Sequence, residues 1–204
     1  MVGIDPSLTG TGVTLPSGES FTIKPSGVGD ARLAYLRKAI RWYLERTGWP
    51  HVRVLAAVED LPTHSKGNVA VMGMAHGVIR SELAEMGIPR GLIVPATLKQ
   101  YATGKGNADK DMMVAAARTN GMVVADHNQA DSGWLQAMGE HFVGRPRFDE
   151  IGPVDLFGRA IRHHCVHGPW LGSGGAKWPD LNATPAPVRV ARATSTTPLH
   201  RPAR

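Results

Sequence analysis

The stretch "VGIDPSLTGTGV", residues 2–13, decides how the chain is read. A short apolar run ends on the carboxylate of Asp5. Pro6, small polar residues, Gly10 and Gly12 follow before apolar character resumes at Val13. This punctuation predicts a strand, a tight turn and a returning strand. A carboxylate at a strand end is either an ordinary turn residue or one held near a cation or a phosphate. The rest of the sequence weighs the two.

Outward from there, "GVTLP" is the returning strand, and "SFTIK" makes a third after the Pro16–Gly18 turn. Short turns make these three antiparallel. Between Asp30 and Arg46, Leu33, Leu36, Ala39, Ile40, Tyr43 and Leu44 recur at helical spacing, with Asp30 as the N-cap. "VRVLAAVE" reads as a buried strand ending on a second carboxylate, Glu59. A helix over "GNVAVMGMAHGVIRSELAEMG", a strand at "GLIVP" and a helix over "NADKDMMVAAART", capped by Asn107, come next. "NQADSGWLQAMGEHF" is a further helix and carries a third acid, Asp131, and residues 154–164 form a last short one. Three strands followed by alternating helices and strands predict an α/β domain whose later strands run parallel to the first.

With 204 residues, 42% of them hydrophobic and 20% charged, the chain is globular and long enough for one well-buried domain. The single cysteine, Cys165, excludes an internal disulfide framework and suits a reducing compartment. No apolar run approaches a membrane span and no signal pattern opens the chain, so a soluble cytoplasmic protein is expected. The formal net charge of +6 is uneven. Beyond Leu171, Lys177, Arg189, Arg192, Arg201 and Arg204 face Asp180 alone. That Pro-rich stretch holds too few apolar residues to offset its ordering entropy. A domain over 1–170 and a disordered basic tail over 171–204 are expected. "HHCVH", residues 163–167, matches no usual zinc spacing.

The three acids gain meaning together. If the first and fourth strands are adjacent and parallel, Asp5 and Glu59 lie side by side beyond the carboxyl ends, where ligands of α/β sheets gather. A helix packed nearby presents Asp131 to the same point. Three carboxylates so close repel one another unless a cation is shared, and oxygen-only donors select hard divalent ions such as Mg²⁺ or Mn²⁺. Singly, each acid also reads as a turn, strand-end or surface residue. The joint pattern favours a site.

"GIDPSLTGTGV", "VEDLP", "VPATLKQYATGKGNADKDMM" and "NQADSGWLQAM" occur in the order of the signature segments of RuvC-type Holliday-junction resolvases. Over roughly residues 2–140 the chain resembles a phage or bacterial member of that family, within the ribonuclease-H-like superfamily. The resemblance implies a five-stranded mixed sheet flanked by helices, a two-metal carboxylate site, a homodimer and cleavage of four-way or other branched DNA. Asp5 resembles the first bridging aspartate, Glu59 the strand-end glutamate and Asp131 the last aspartate of the C-terminal helix. Lys99 and Lys110 resemble lysines that approach the DNA backbone.

A fourth ligand is implied one helical turn before Asp131. Asn128 stands three positions before it, His127 four and Asp126 five. Charge favours Asp126, reaching in from the preceding loop, with His127 and Asn128 as alternatives. Two Mg²⁺ ions, for which Mn²⁺ can substitute, would then hydrolyse a phosphodiester. One would activate water and a second, about 4 Å away, would stabilise the departing oxygen. Gly10 and Gly12 would let the turn lie close to the metals and the scissile phosphate. "TGKGNADK" lacks P-loop spacing. As a helix N-terminus with Lys105 it suits a DNA phosphate instead. Neither a nucleotide cofactor nor a membrane is expected. The rival readings are an actin- or sugar-kinase-like ATPase, which needs a second lobe this length does not hold, and a non-catalytic DNA-binding module of the same fold.

Overall fold

The computed structural model describes residues 1–61, 69–143, 145, 147 and 148. Five short strands, β1 (Val2–Asp5), β2 (Thr11–Thr14), β3 (Ser20–Ile23), β4 (Ala56–Glu59) and β5 (Arg90–Ile93), form one sheet in the order β3-β2-β1-β4-β5. The first three are antiparallel, while β4 is parallel to β1 and β5 to β4. This is the mixed sheet expected from the sequence. The helices are α1 (Asp30–Glu45), α2 (Val69–Glu85), α3 (Pro95–Thr103), α4 (Lys110–Thr119) and α5 (His127–Phe142).

Side-chain alternation divides the core into two layers. Val2 and Ile4 of β1, with Ala56 and Val58 of β4, pack against Leu36, Ile40, Ile79 and Leu83 of α1 and α2. Ala57, one residue out of phase, belongs to the opposite layer with Tyr101, Met113, Trp134 and Leu135 of α3, α4 and α5. The same alternation turns Gly3 and Asp5, and Ala57 and Glu59, toward α5. Arg37 and Arg41 of α1 reach the buried carboxylate of Glu82 on α2 at 2.6 and 2.5 Å, an ionic clamp across that helix pair.

Helix α5 is buried from Ser132 through Gly139, its side chains touching the sheet on one side and α3 and α4 on the other. It comes so close to the sheet because glycines let it. A Cβ on Gly3 would stand 1.9 Å from the Ser132 carbonyl oxygen, and one on Gly12 would stand 2.0 Å from that of Asn128. Buried polar groups fix the register. The Thr14 and Ser132 hydroxyls meet at 2.8 Å, and the Trp134 indole N–H donates to the Met113 carbonyl at 3.2 Å.

Several boundaries differ from the sequence reading. The fourth strand begins at Ala56 because only there does pairing with β1 start, although Val54 and Leu55 are already buried. Helix α3 was not anticipated: Pro95 ends the apolar run and also opens a helix, with the left-handed Gly104 closing it. Helix α4 starts at Lys110, not near Asn107, because Asp109 is the residue whose carboxylate accepts the Met112 N–H. Helix α1 follows Gly29 (φ 54°), which leaves Asp30 as a first-turn acid and not the cap. The expected helix at 154–164, the "HHCVH" segment and the basic tail lie outside the described residues. No helix among the described residues is long and apolar enough to cross a membrane.

Candidate active site

Parallel pairing of Val2, Gly3 and Ile4 with Ala56, Ala57 and Val58 carries β1 and β4 out together, so that Asp5 and Glu59 end adjacent strands. The two carboxyl side chains are in contact with each other. Burial pushes the Asp5 carboxyl up to about 6, against the lowering effects of the Glu59 contact and the Lys110 charge. Burial also raises Glu59 well above the ordinary carboxylate range, with Asp5 and Asp131 adding to the rise and Lys99 opposing it. Asp131, on the sheet-facing side of α5, is raised to about 7, first by burial and then by the charge of Asp5; Lys99 and Lys110 oppose this.

The three acids expected from the sequence therefore share one electrostatic neighbourhood, and Lys99 and Lys110 are the cations acting on it. They do not form a closed cage. Among the described residues, no three His, Cys, Asp or Glu side chains stand close enough to grip one ion. The physical reason is charge: carboxylates drawn together in a low-dielectric pocket take up a proton or stay apart. Chemically the donor set fits a hard divalent ion, since it offers oxygen donors only, two of them on carboxylates already in contact.

The candidates for the fourth position make contacts of their own, and of them Asp126 also raises the Asp131 carboxyl through its charge. Asp126 is the N-cap of α5, accepting the Gln129 N–H at 3.0 Å. The Thr22 hydroxyl of β3 also donates to its two carboxylate oxygens, at 2.9 and 2.8 Å. Burial alone would raise the Asp126 carboxyl, but these hydrogen bonds outweigh it and hold the group below its usual range. His127 accepts from the Lys110 ammonium, Nζ to Nε2, at 2.9 Å. Asn128 lies over Gly10, where its amide nitrogen is 2.9 Å from the place a Cβ would take.

Neither Gly10 nor Gly12 has a positive φ. Where a Cβ would stand, Gly10 meets the side chains of Asn128 and Thr22, and Gly12 meets the Asn128 carbonyl. Lys105 is exposed on the loop between α3 and α4, outside the set of charges that act on the three acids. Sequence reasoning missed the Lys110–His127 and Thr22–Asp126 contacts. Each joins residues from different elements, and nothing in their local spacing marks them as partners.

No family model matches the chain. A crossover junction endodeoxyribonuclease RuvC of Corynebacterium glutamicum is 36% identical over 128 residues, which are 55% of this chain and 55% of that relative. The chain thus spans about half the length of that protein. The RuvC of Corynebacterium diphtheriae is 30% identical over 139 residues, covering 61% of this chain and 82% of the relative. Among solved structures, Thermus thermophilus RuvC superposes with a TM-score of 0.52 at 22% identity, over 71% of this chain and 96% of that one, a likeness of fold.

Proposed function

Because this chain belongs to the RuvC family, we propose that it is a metal-dependent endonuclease that cleaves branched DNA, with a four-way junction as the substrate. The observation that carries this reading is the joined pair Asp5 and Glu59 at the ends of adjacent parallel strands, with Asp131 raised by the same field. Buried carboxylates only partly offset by Lys99 and Lys110 are costly to stability and suit a further positive ligand. Asp5, Glu59 and Asp131 would hold Mg²⁺ or Mn²⁺, two ions per site, with Asp126 as the fourth candidate. The bound ions supply a water of lowered pKa and stabilise charge on the leaving oxygen.

The chain's own residues do the rest. Asp5 and Glu59 fix the reacting region on the rigid strand ends, and a bound cation would favour their ionised forms. Lys99 and Lys110 favour the ionised acids and offer positive charge to the DNA backbone. Lys105, at the approach to α4, adds a contact to a phosphate further along. The protein acts as a homodimer on the two strands of a junction, and the basic tail adds sequence-independent affinity for duplex.

The test is cleavage of a synthetic four-way junction in Mg²⁺ by the full chain and by Asp5→Asn. The variant is nearly isosteric, so junction binding should persist while cleavage falls by at least about two orders of magnitude. Cleavage by pure Asp5→Asn at the unmodified rate would sink the proposal.

A further inference from the structure

At the opposite pole of the sheet from the acids, where β1 and β4 begin, lies a cavity of about 430 Å³. Arg53, Arg145 and Arg147 line it together with Glu140 and the Ser17–Gly18 turn. Among the described residues, three guanidinium groups and the Met1 amino group face one carboxylate, which makes the lining basic.

Arg147 gives the cavity a constructed character. Its Nη1 donates to Oε1 of Gln136 at 2.9 Å. Gln136 is only 1% exposed, and its amide nitrogen donates to the carbonyls of Leu15 at 2.7 Å and Met1 at 3.1 Å. That fixes the amide, so its oxygen is presented to the guanidinium. Gly18, at φ +89°, leaves the room: a Cβ there would stand 2.9 Å from Nη2 of Arg147. The Phe148 ring lies 5.7 Å from the guanidinium carbon. Neutral groups thus orient Arg147, and among the described residues neither it nor Arg145 forms an ion pair. A guanidinium carries five N–H donors in a rigid fork suited to phosphate. Among the described residues, only one of those on Arg147 is used.

We propose that this cavity is a phosphate-binding site, with Arg147 as the oriented fork and Arg145 and Arg53 as flanking charges. The phosphate belongs either to the backbone of a DNA arm or to a small free phosphate compound. The inference is independent of the nuclease reading, because no residue of the acid site takes part.

Two measurements on the full chain decide it, both without divalent ions. In the first, inorganic pyrophosphate is titrated calorimetrically into the unmodified protein, Arg147→Ala and Arg147→Lys. In the second, duplex DNA affinity is followed against salt for the same three proteins, with circular dichroism confirming their folds. Saturable pyrophosphate binding that weakens tenfold or more in Arg147→Ala, with Arg147→Lys between, supports the site. If the source is DNA, Arg147→Ala also lowers the slope of log K against log salt by about one. An unchanged slope with pyrophosphate binding intact in the parent assigns the site to a free phosphate compound. The proposal is overturned if pyrophosphate fails to bind the unmodified protein and the slope is the same in all three. It is equally overturned if pyrophosphate binds all three proteins alike.

Discussion

At the scale of single residues, the acids set the pH behaviour. Asp5 at about 6 and Asp131 at about 7 hold protons that the same groups in an unfolded chain release near the ordinary carboxylate range. The folded state therefore binds more protons than the unfolded state between roughly pH 4 and 7, and stability falls as pH rises through that window. Thermal melts in chelator should show Tm dropping by several degrees from pH 5 to 7.5, and Mn²⁺ at pH 7.5 should recover the loss. A Tm that climbs over that range in chelator would contradict the assignment. The lysines give a second test. Lys99 opposes the rise at Glu59 and Asp131, and Lys110 opposes it at Asp5 and Asp131. Replacing either by Ala should move the acidic limb of the cleavage profile to higher pH. His127→Ala should do so less strongly, since it only frees the Lys110 side chain from its 2.9 Å contact. A limb that stays in place in Lys110→Ala would confine that lysine to DNA contact.

Among the elements, α5 governs whether the site exists. Its backbone rests on Gly3 and Gly12, and each missing Cβ is replaced by a carbonyl oxygen of the helix. Gly3→Ala must push α5 outward, at a cost of about 1–3 kcal/mol, and Asp131 moves with it. Denaturant melts should show that loss, and junction cleavage should fall further than stability alone explains. Thr22→Val removes the hydroxyl that steadies the Asp126 cap and should cost about 1 kcal/mol. These elements also mark what was legible beforehand. Apolar runs ending on acids marked Asp5 and Glu59 as strand-end residues, while the adjacency of their strands was only a condition in the sequence reading, and the sheet order meets it. Asp131, on α5, stood out only as a late-helix acid and through the family resemblance. Helix α3 stayed hidden because Pro95 reads equally as a strand terminator and as a first helical residue. The contact of Gly12 with α5 was hidden too, since a glycine records that something comes close but not what.

At the scale of the whole molecule, the two poles of the sheet carry opposite chemistry. Acids gather where the parallel strands end, and arginines gather where they begin. The clamp between α1 and α2 holds the layer behind both poles. Glu82→Gln should therefore destabilise the protein modestly, by about 1–2 kcal/mol, because the partly exposed arginines lose a charged acceptor but keep Glu85. Cleavage measured well below the melting point should change little, which separates this residue from those of the site. The seat of α5 on β1 has a consequence for synthesis. Gly3 of β1 waits for a helix encoded more than a hundred residues later, and such distant pairings close slowly. A chain still on the ribosome shows its bare glycine surface to the cell and holds two of its three acids. On the reading proposed above, the acid group stays incomplete until translation has passed residue 131.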